Sequence, residues 1–450
     1  MGGVGLLLVL RSPLFNLWAS VAMTLLFVGN NNAITTGKIA AAAILILAIV
    51  RGLMAREWRA SDVYNQHKAW LNPLLLFSGF IVLSSLINVA LGGTAFVDFL
   101  REFVAFLNYL LLIPAIIFID TPRKFTATLI FIGVLVIAVV FRDFGYAIFN
   151  ANNINTLVPL AAVLDSTFST PSTPLFFFGL FFLPFVFNRG LLQIALGVPL
   201  ALMSAILIVL VGTRSFWVAI LVGIVILVLL RRNWLWWFML GLVAAFIILI
   251  EFNVLLEAVN SQETVSSTRT VTSQLNSFFN LADDPSVIYR LDETSTALNQ
   301  FYASPFFGQG LGYQITTQQQ VGSRVTVYQR GYIHDFYVYL LLKAGIVGAG
   351  LFAWFFINLM RAIWRIARNQ TTPQLINSRG FAQLLFVCIV MLIFISISSS
   401  YLNDISTTVV LAPLIGILLR LAPFPSASSA ALEMFPRRPI PYKTMPTRVI

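Results

Sequence analysis

Continuous apolar runs of about twenty residues recur along this chain, and that single feature leaves few folds open to it. A run of that length matches the hydrocarbon thickness of a bilayer. Inside lipid every backbone polar group must find an internal partner, so only helices or a closed barrel cross. Barrel strands alternate apolar and polar residues; these runs do not alternate, which selects helices. Composition agrees: 59% of the 450 residues are apolar and 10% are charged, where a soluble domain carries about one quarter charged residues. The fold class expected is an all-α polytopic membrane protein. Twelve spans are predicted, near 13–30, 37–54, 70–91, 98–119, 125–149, 174–188, 190–211, 214–230, 233–253, 335–358, 380–400 and 404–421. Met1 to Leu10 lacks the basic start and small-residue cleavage site of a signal peptide.

The bases set the orientation. With the N-terminus inside, nineteen of the 28 Lys and Arg fall on the cytoplasmic side and eight outside, with Lys343 within a span. The organisation expected is therefore 1–253 as an N-terminal membrane region of about nine spans, 254–334 as a large outer loop, 335–421 as three further spans, and 422–450 as a basic, Pro-rich cytoplasmic tail. Both termini are then cytoplasmic. A formal charge of +11 does not indicate nucleic acid, because the bases sit in short clusters between apolar runs. The single Cys388 excludes an internal disulfide and reads as a small buried hydrophobe.

The candidate chemistry lies on the outer face. With this topology Arg101 opens the fourth span, Arg214 the eighth, and His334-Asp335 the tenth. A helix start offers unpaired N–H groups and the positive end of a dipole, and a guanidinium fork beside it suits phosphate oxygens. Arg214 follows Gly212-Thr213 without an acid nearby, whereas Arg101 stands between Asp98 and Glu102, and Arg142 beside Asp143, so that ion pairing competes with a ligand role there. In the loop, Asp284-Pro285 predicts a helix start, with Ile288, Leu291, Leu298 and Phe301 near one face and Arg290 pointing away from Leu291 and Leu298. His334 is one of two histidines, a residue type suited to proton transfer; Asp335 beside it is expected to orient it or tune its basicity. Gly345-x-x-Gly348 predicts close helix packing, Lys343 a packing or lipid-facing side chain, and His67 a solvated loop residue. No Asp-x-Asp, histidine pair or cysteine cluster suggests a metal, and no cofactor is expected.

These residues resemble the O-antigen ligase and polymerase family of bacterial membrane glycosyltransferases. Its signature is His, then Asn, Ser or Gln, nine residues, Gly, two residues, and Gly, Thr or Tyr. Here it reads His334-Asp335, nine residues, Gly345-Ile346-Val347-Gly348, with Asp335 departing from the usual second position. Gly212-Thr213-Arg214-Ser215-Phe216-Trp217 is similar to the family's arginine-bearing helix start. Arg290 followed by Ser304-Pro305-Phe306-Phe307-Gly308-Gln309-Gly310-Leu311-Gly312 resembles its loop arginine and glycine-rich turn. The resemblance implies a GT-C-like membrane transferase at the outer face of the bacterial inner membrane. It would move a glycan from undecaprenyl diphosphate to lipid A-core, or, in a polymerase, to another lipid-linked glycan. Arg214 and Arg290, with Arg101 and Arg142 as further candidates, would hold the diphosphate without metal, and His334 would act as base on the acceptor hydroxyl. A flippase for the same lipid-linked glycan would also need arginines, but neither His334 at the outer mouth nor a long loop on one side only.

Overall fold

The computed structural model describes residues 9–27, 36–56, 62–153, 214–231, 285–321, 324–368 and 378–421. In chain order the helices are α1 (Pro13–Phe27), α2 (Thr36–Met54), α3 (Asp62–Ala90), α4 (Phe96–Leu107), α5 (Leu112–Phe118), α6 (Pro122–Asn153), α7 (Arg214–Arg231), α8 (Pro285–Phe301), α9 (Phe336–Arg368), α10 (Ser378–Ile395) and α11 (Ile405–Leu421). Two strands, β1 (Ile315–Val321) and β2 (Arg324–Arg330), lie between α8 and α9. Among the described residues five helical stretches are long and apolar enough to cross a membrane: Thr36–Met54, Val63–Ala90, Phe96–Phe118, Pro122–Val139 and Phe336–Arg368. Shorter apolar helices occupy Pro13–Leu26, Val218–Leu230, Arg379–Ile395 and Ile405–Arg420. Helices therefore stand at nine of the expected spans, and those near 174–188, 190–211 and 233–253 lie outside the described residues.

The bundle's centre is aromatic. Phe77 of α3, Phe106 of α4 and Phe352 of α9 meet edge-on at centroid distances of 5.2 to 6.4 Å, and Phe336 and Tyr109 add edges to Phe352 at 5.5 and 5.7 Å. Tilted pairs of this kind bring the positive ring edge to a negative face, and they place α9 firmly against α3 and α4. The span Phe96–Phe118 is not one smooth helix: a 3-10 turn at Asn108–Leu111 tightens it midway. Asn108 there donates to Ile405 O and Thr408 Oγ1, both at 3.0 Å, and Tyr109 Oη donates to Leu402 O at 2.7 Å. Polar groups held this way in a membrane core fix α11 against the α4–α5 span.

Three expectations need correction. The fold is mostly helical rather than all-α: β1 and β2 pair antiparallel, from Ile315 opposite Arg330 to Val321 opposite Arg324. The β-branched residues of Ile315-Thr316-Thr317 and Arg324-Val325-Thr326-Val327 favour that pleated pairing, a local signal masked in sequence by the polar glutamines between them. His67 is not solvated; α3 begins at Asp62, so the imidazole is buried, tilted against Trp70 at 5.6 Å. Lys343 does not reach lipid, being wholly buried in a polar cluster described below.

Candidate functional site

Proline opens α8 at Pro285, where its missing N–H costs nothing. Asp284, its expected cap, lies outside the described residues. The buried positions Glu293, Ala297 and Phe301 recur at i, i+4 and i+8 and turn one face toward the bundle. Ile288 and Leu291 stand on the exposed side, so the expected single apolar face is split. Glu293 is the unexpected member. Its carboxylate is 0% exposed and meets His334 twice through Oε2: the backbone N–H donates at 2.9 Å, and Nδ1 lies at 2.7 Å. A buried carboxylate must be compensated by strong donors, and Nδ1–H is the one available from the ring. That tautomer leaves the Nε2 lone pair facing away from Glu293, on an imidazole 26% exposed.

Aromatic rings hold the imidazole laterally. Tyr332 stands edge-on at 5.2 Å and Tyr289 at 6.2 Å. Arg330 places its guanidinium 5.4 Å from the Tyr289 ring centroid, a cation–π contact. Arg290 lies three residues before Glu293, on neighbouring positions of the same helix face, and its charge reaches Tyr332 and Tyr401. Ser400 closes the floor: its Oγ donates to Ile333 O and lies 3.3 Å from His334 O.

Asp335, expected to orient His334, does something else. Its Oδ1 accepts from Tyr337 N at 2.8 Å and Val338 N at 3.2 Å, which makes it the N-cap of α9. The geometry has a simple cause: residue 335 immediately precedes the first helical turn, whose free amides capture its carboxylate before the imidazole can. Burial raises the Asp335 carboxyl above its usual range, opposed by those two amides. Asp404 caps α11 in the same manner through Thr407 N and Oγ1, both at 2.8 Å, and burial lifts its carboxyl to about 6.

The two glycine motifs turn out to be one unit. At Gly345 α9 breaks, with φ 64° and ψ −174°. A helix break frees amides and carbonyls that lipid cannot satisfy, and the turn after α8 supplies the partners. Gln309 N donates to Leu342 O at 2.7 Å and Gly310 N to Lys343 O at 2.9 Å; Ile346 N donates to Pro305 O at 2.9 Å and Val347 N to Phe306 O at 3.2 Å. A Cβ on Gly345 would stand 2.3 Å from Phe306 O, and one on Gly308 would stand 2.5 Å from Gly345 N. Gly345 thus serves backbone insertion rather than helix packing alone, while Gly348 does face Phe80 of α3. The turn also docks on α3, where Leu311 N donates to Ser85 Oγ at 2.9 Å and Asn88 Nδ2 donates to Gln309 O.

Residues 199–353 match the family described as O-antigen ligase. This segment is similar to that family, in keeping with the resemblance its motifs carry. It covers roughly a third of the chain and contains the start of α7, the whole of α8, the glycine turn, His334 and the α9 break. Comparison with curated proteins finds no match.

Within the matched segment the arginines separate by surroundings. Arg290 shares a helix face with Glu293 beside the imidazole. Arg214 is the first residue of α7, as its sequence predicts, but its side chain lies outside the described residues. Outside the segment, Arg142 falls within α6 and its side chain is likewise outside the description. Arg101 is ion-paired with Asp98, whose other oxygen accepts from Gln314 Nε2 at 3.0 Å. Among the described residues no group of three or more His, Cys, Asp or Glu converges as for a metal ion. Glu293 was legible in one respect only: its i+3 spacing from Arg290 places both on one face, but nothing local joins it to a residue forty-one positions away.

Proposed function

We propose that this chain is an O-antigen ligase-type glycosyltransferase, moving a glycan from undecaprenyl diphosphate to an acceptor hydroxyl of lipid A-core at the periplasmic face of the bacterial inner membrane. The observation that carries the reading is the Glu293–His334 pair, with Arg290 three residues before Glu293 on the same helix. A transferase needs a neutral imidazole to take the proton from an acceptor hydroxyl, and a tautomer held by a buried carboxylate supplies one. In the proposed step His334 Nε2 accepts that proton as the acceptor oxygen forms its bond to the anomeric carbon. The bond from that carbon to the diphosphate oxygen breaks, and the released diphosphate keeps the electron pair. Glu293 stabilises the resulting imidazolium. Arg290 and Arg214 stabilise the growing charge on the leaving group.

The proposal extends to a twelve-span GT-C-like bundle with both termini in the cytoplasm. The discriminating experiment is mass analysis of lipid-linked glycans in a strain that lacks the protein. Accumulation of long undecaprenyl-linked polymer supports the ligase. Accumulation of single repeats assigns the chain to the polymerases of the same family instead, and accumulation of neither indicates another role.

A further inference from the structure

Lys343 lies nine residues beyond His334 on α9, about 13 Å along the helix axis, and takes no part in the step proposed above. Its side chain is 0% exposed. The ammonium donates to Glu102 Oε1 at 2.9 Å and to Tyr313 O, and stands 5.4 Å from the Tyr339 ring centroid. Glu102 in turn accepts through Oε2 from Tyr339 Oη at 3.0 Å and from Gly312 N at 2.8 Å. One residue therefore grips the glycine run at its middle and just past its end: its backbone carbonyl holds Gly310, and its ammonium holds Tyr313. Gly312 has no room for a side chain, since φ is 85° and a Cβ would meet Phe99 N at 2.5 Å.

We infer that Lys343, paired with Glu102, is a positioning residue that sets α8, and with it Arg290 and Glu293, against His334. The run it grips is continuous with α8 on one side, where Gln309 Nε2 donates to Gln300 O at 3.0 Å. On the other side the chain passes through β1 and β2 and returns directly to His334. Displacing the run moves the two ends of the site relative to each other. A buried ion pair is a costly way to gain stability but an effective way to select one arrangement, because a single missing partner strands the other charge. The sequence of α9 alone could not reveal this, since the partners come from α4 and the loop.

The inference rests on the proposed transferase reading for its activity arm only. Two variants test it: Lys343→Met, and the paired Glu102→Gln/Lys343→Met, which removes the stranded carboxylate so that the bundle still folds. Hydrogen exchange on the full-length protein in nanodiscs is read over residues 289–301 and 331–337, which include the His334 amide bonded to Glu293. The paired variant is expected to exchange there roughly tenfold faster, while residues 349–368 of α9 keep their protection. Equal protection of 289–301 and 331–337 in native and paired-variant protein overturns the inference, whatever the activity. In the transfer assay, Lys343→Met is expected to add less than about twofold loss in a Glu293→Gln background, because both act through the same contact. Losses that multiply in full show that Lys343 acts elsewhere. Native protein that exchanges as expected but transfers no glycan refutes the proposed function and leaves the positioning role standing.

Discussion

At the scale of single residues, the site turns on which carboxylate meets the imidazole. Glu293 is buried and bonded to Nδ1; Asp335, though adjacent in sequence, is spent on helix capping. The two are separable by isosteric substitution. Glu293→Gln keeps an acceptor oxygen but loses the charge that supports an imidazolium, so turnover is expected to fall by about one to two orders of magnitude with folding unchanged. Asp335→Asn retains a capping oxygen and is expected to stay within about twofold of native turnover, whereas Asp335→Ala is expected to lower stability by about 1 kcal/mol. A steady-state assay with purified lipid donor, paired with thermal melting, reads both. His334→Ala is expected to abolish transfer, by about 100-fold or more, while donor binding persists. Native-like turnover in His334→Ala would remove the proton-transfer role altogether. Arg290→Lys keeps the charge but not the fork, and the same assay is expected to show a sharp loss.

At the scale of elements, the broken helix and the glycine turn behave as one part. Gly345→Ala places a Cβ at 2.3 Å from Phe306 O on backbone with φ 64°, a strain of about 1–3 kcal/mol before any clash is relieved. Gly350, five residues on in the same helix, has nothing within 4 Å of its Cβ position. Gly350→Ala is therefore expected to be neutral or to raise the melting temperature slightly, by helix propensity alone. Equal tolerance of both substitutions would mean that the break at Gly345 is not required. The elements themselves were readable: continuous apolar runs fix where α1–α7 and α9–α11 lie, and Pro285 marks the start of α8. The hairpin was not readable, nor was the break, because Gly345-x-x-Gly348 is equally a packing motif until the turn at residues 305–310 is seen lying in it. Lys343 was legible as a packing side chain, but its partner was hidden for the same reason. Helical periodicity says that it points away from His334, but not that Glu102, 241 positions earlier, waits there.

At the scale of the whole molecule, orientation follows from charge, and a direct measurement can check it. Reporter fusions at Asn280 and after residue 450 are expected to lie on opposite sides of the membrane, with the first outside, in keeping with the division of basic residues between the two faces. Both fusions on one side would invert the reading of the loop. The long-range nature of the site has another consequence, which concerns the order in which the chain is made. Arg290, Glu293 and the glycine run leave the ribosome before α9, yet the amides of Gln309 and Gly310 close only on carbonyls of Leu342 and Lys343, and their remaining anchors, Ser85, Asn88 and Glu102, were synthesised about two hundred residues earlier. Assembly of the proposed site must therefore wait until the segment through Val347 has entered the bilayer. A nascent chain halted before that point can already carry Arg290, Glu293 and His334, yet it lacks the carbonyls of Leu342 and Lys343 that seat the turn between them.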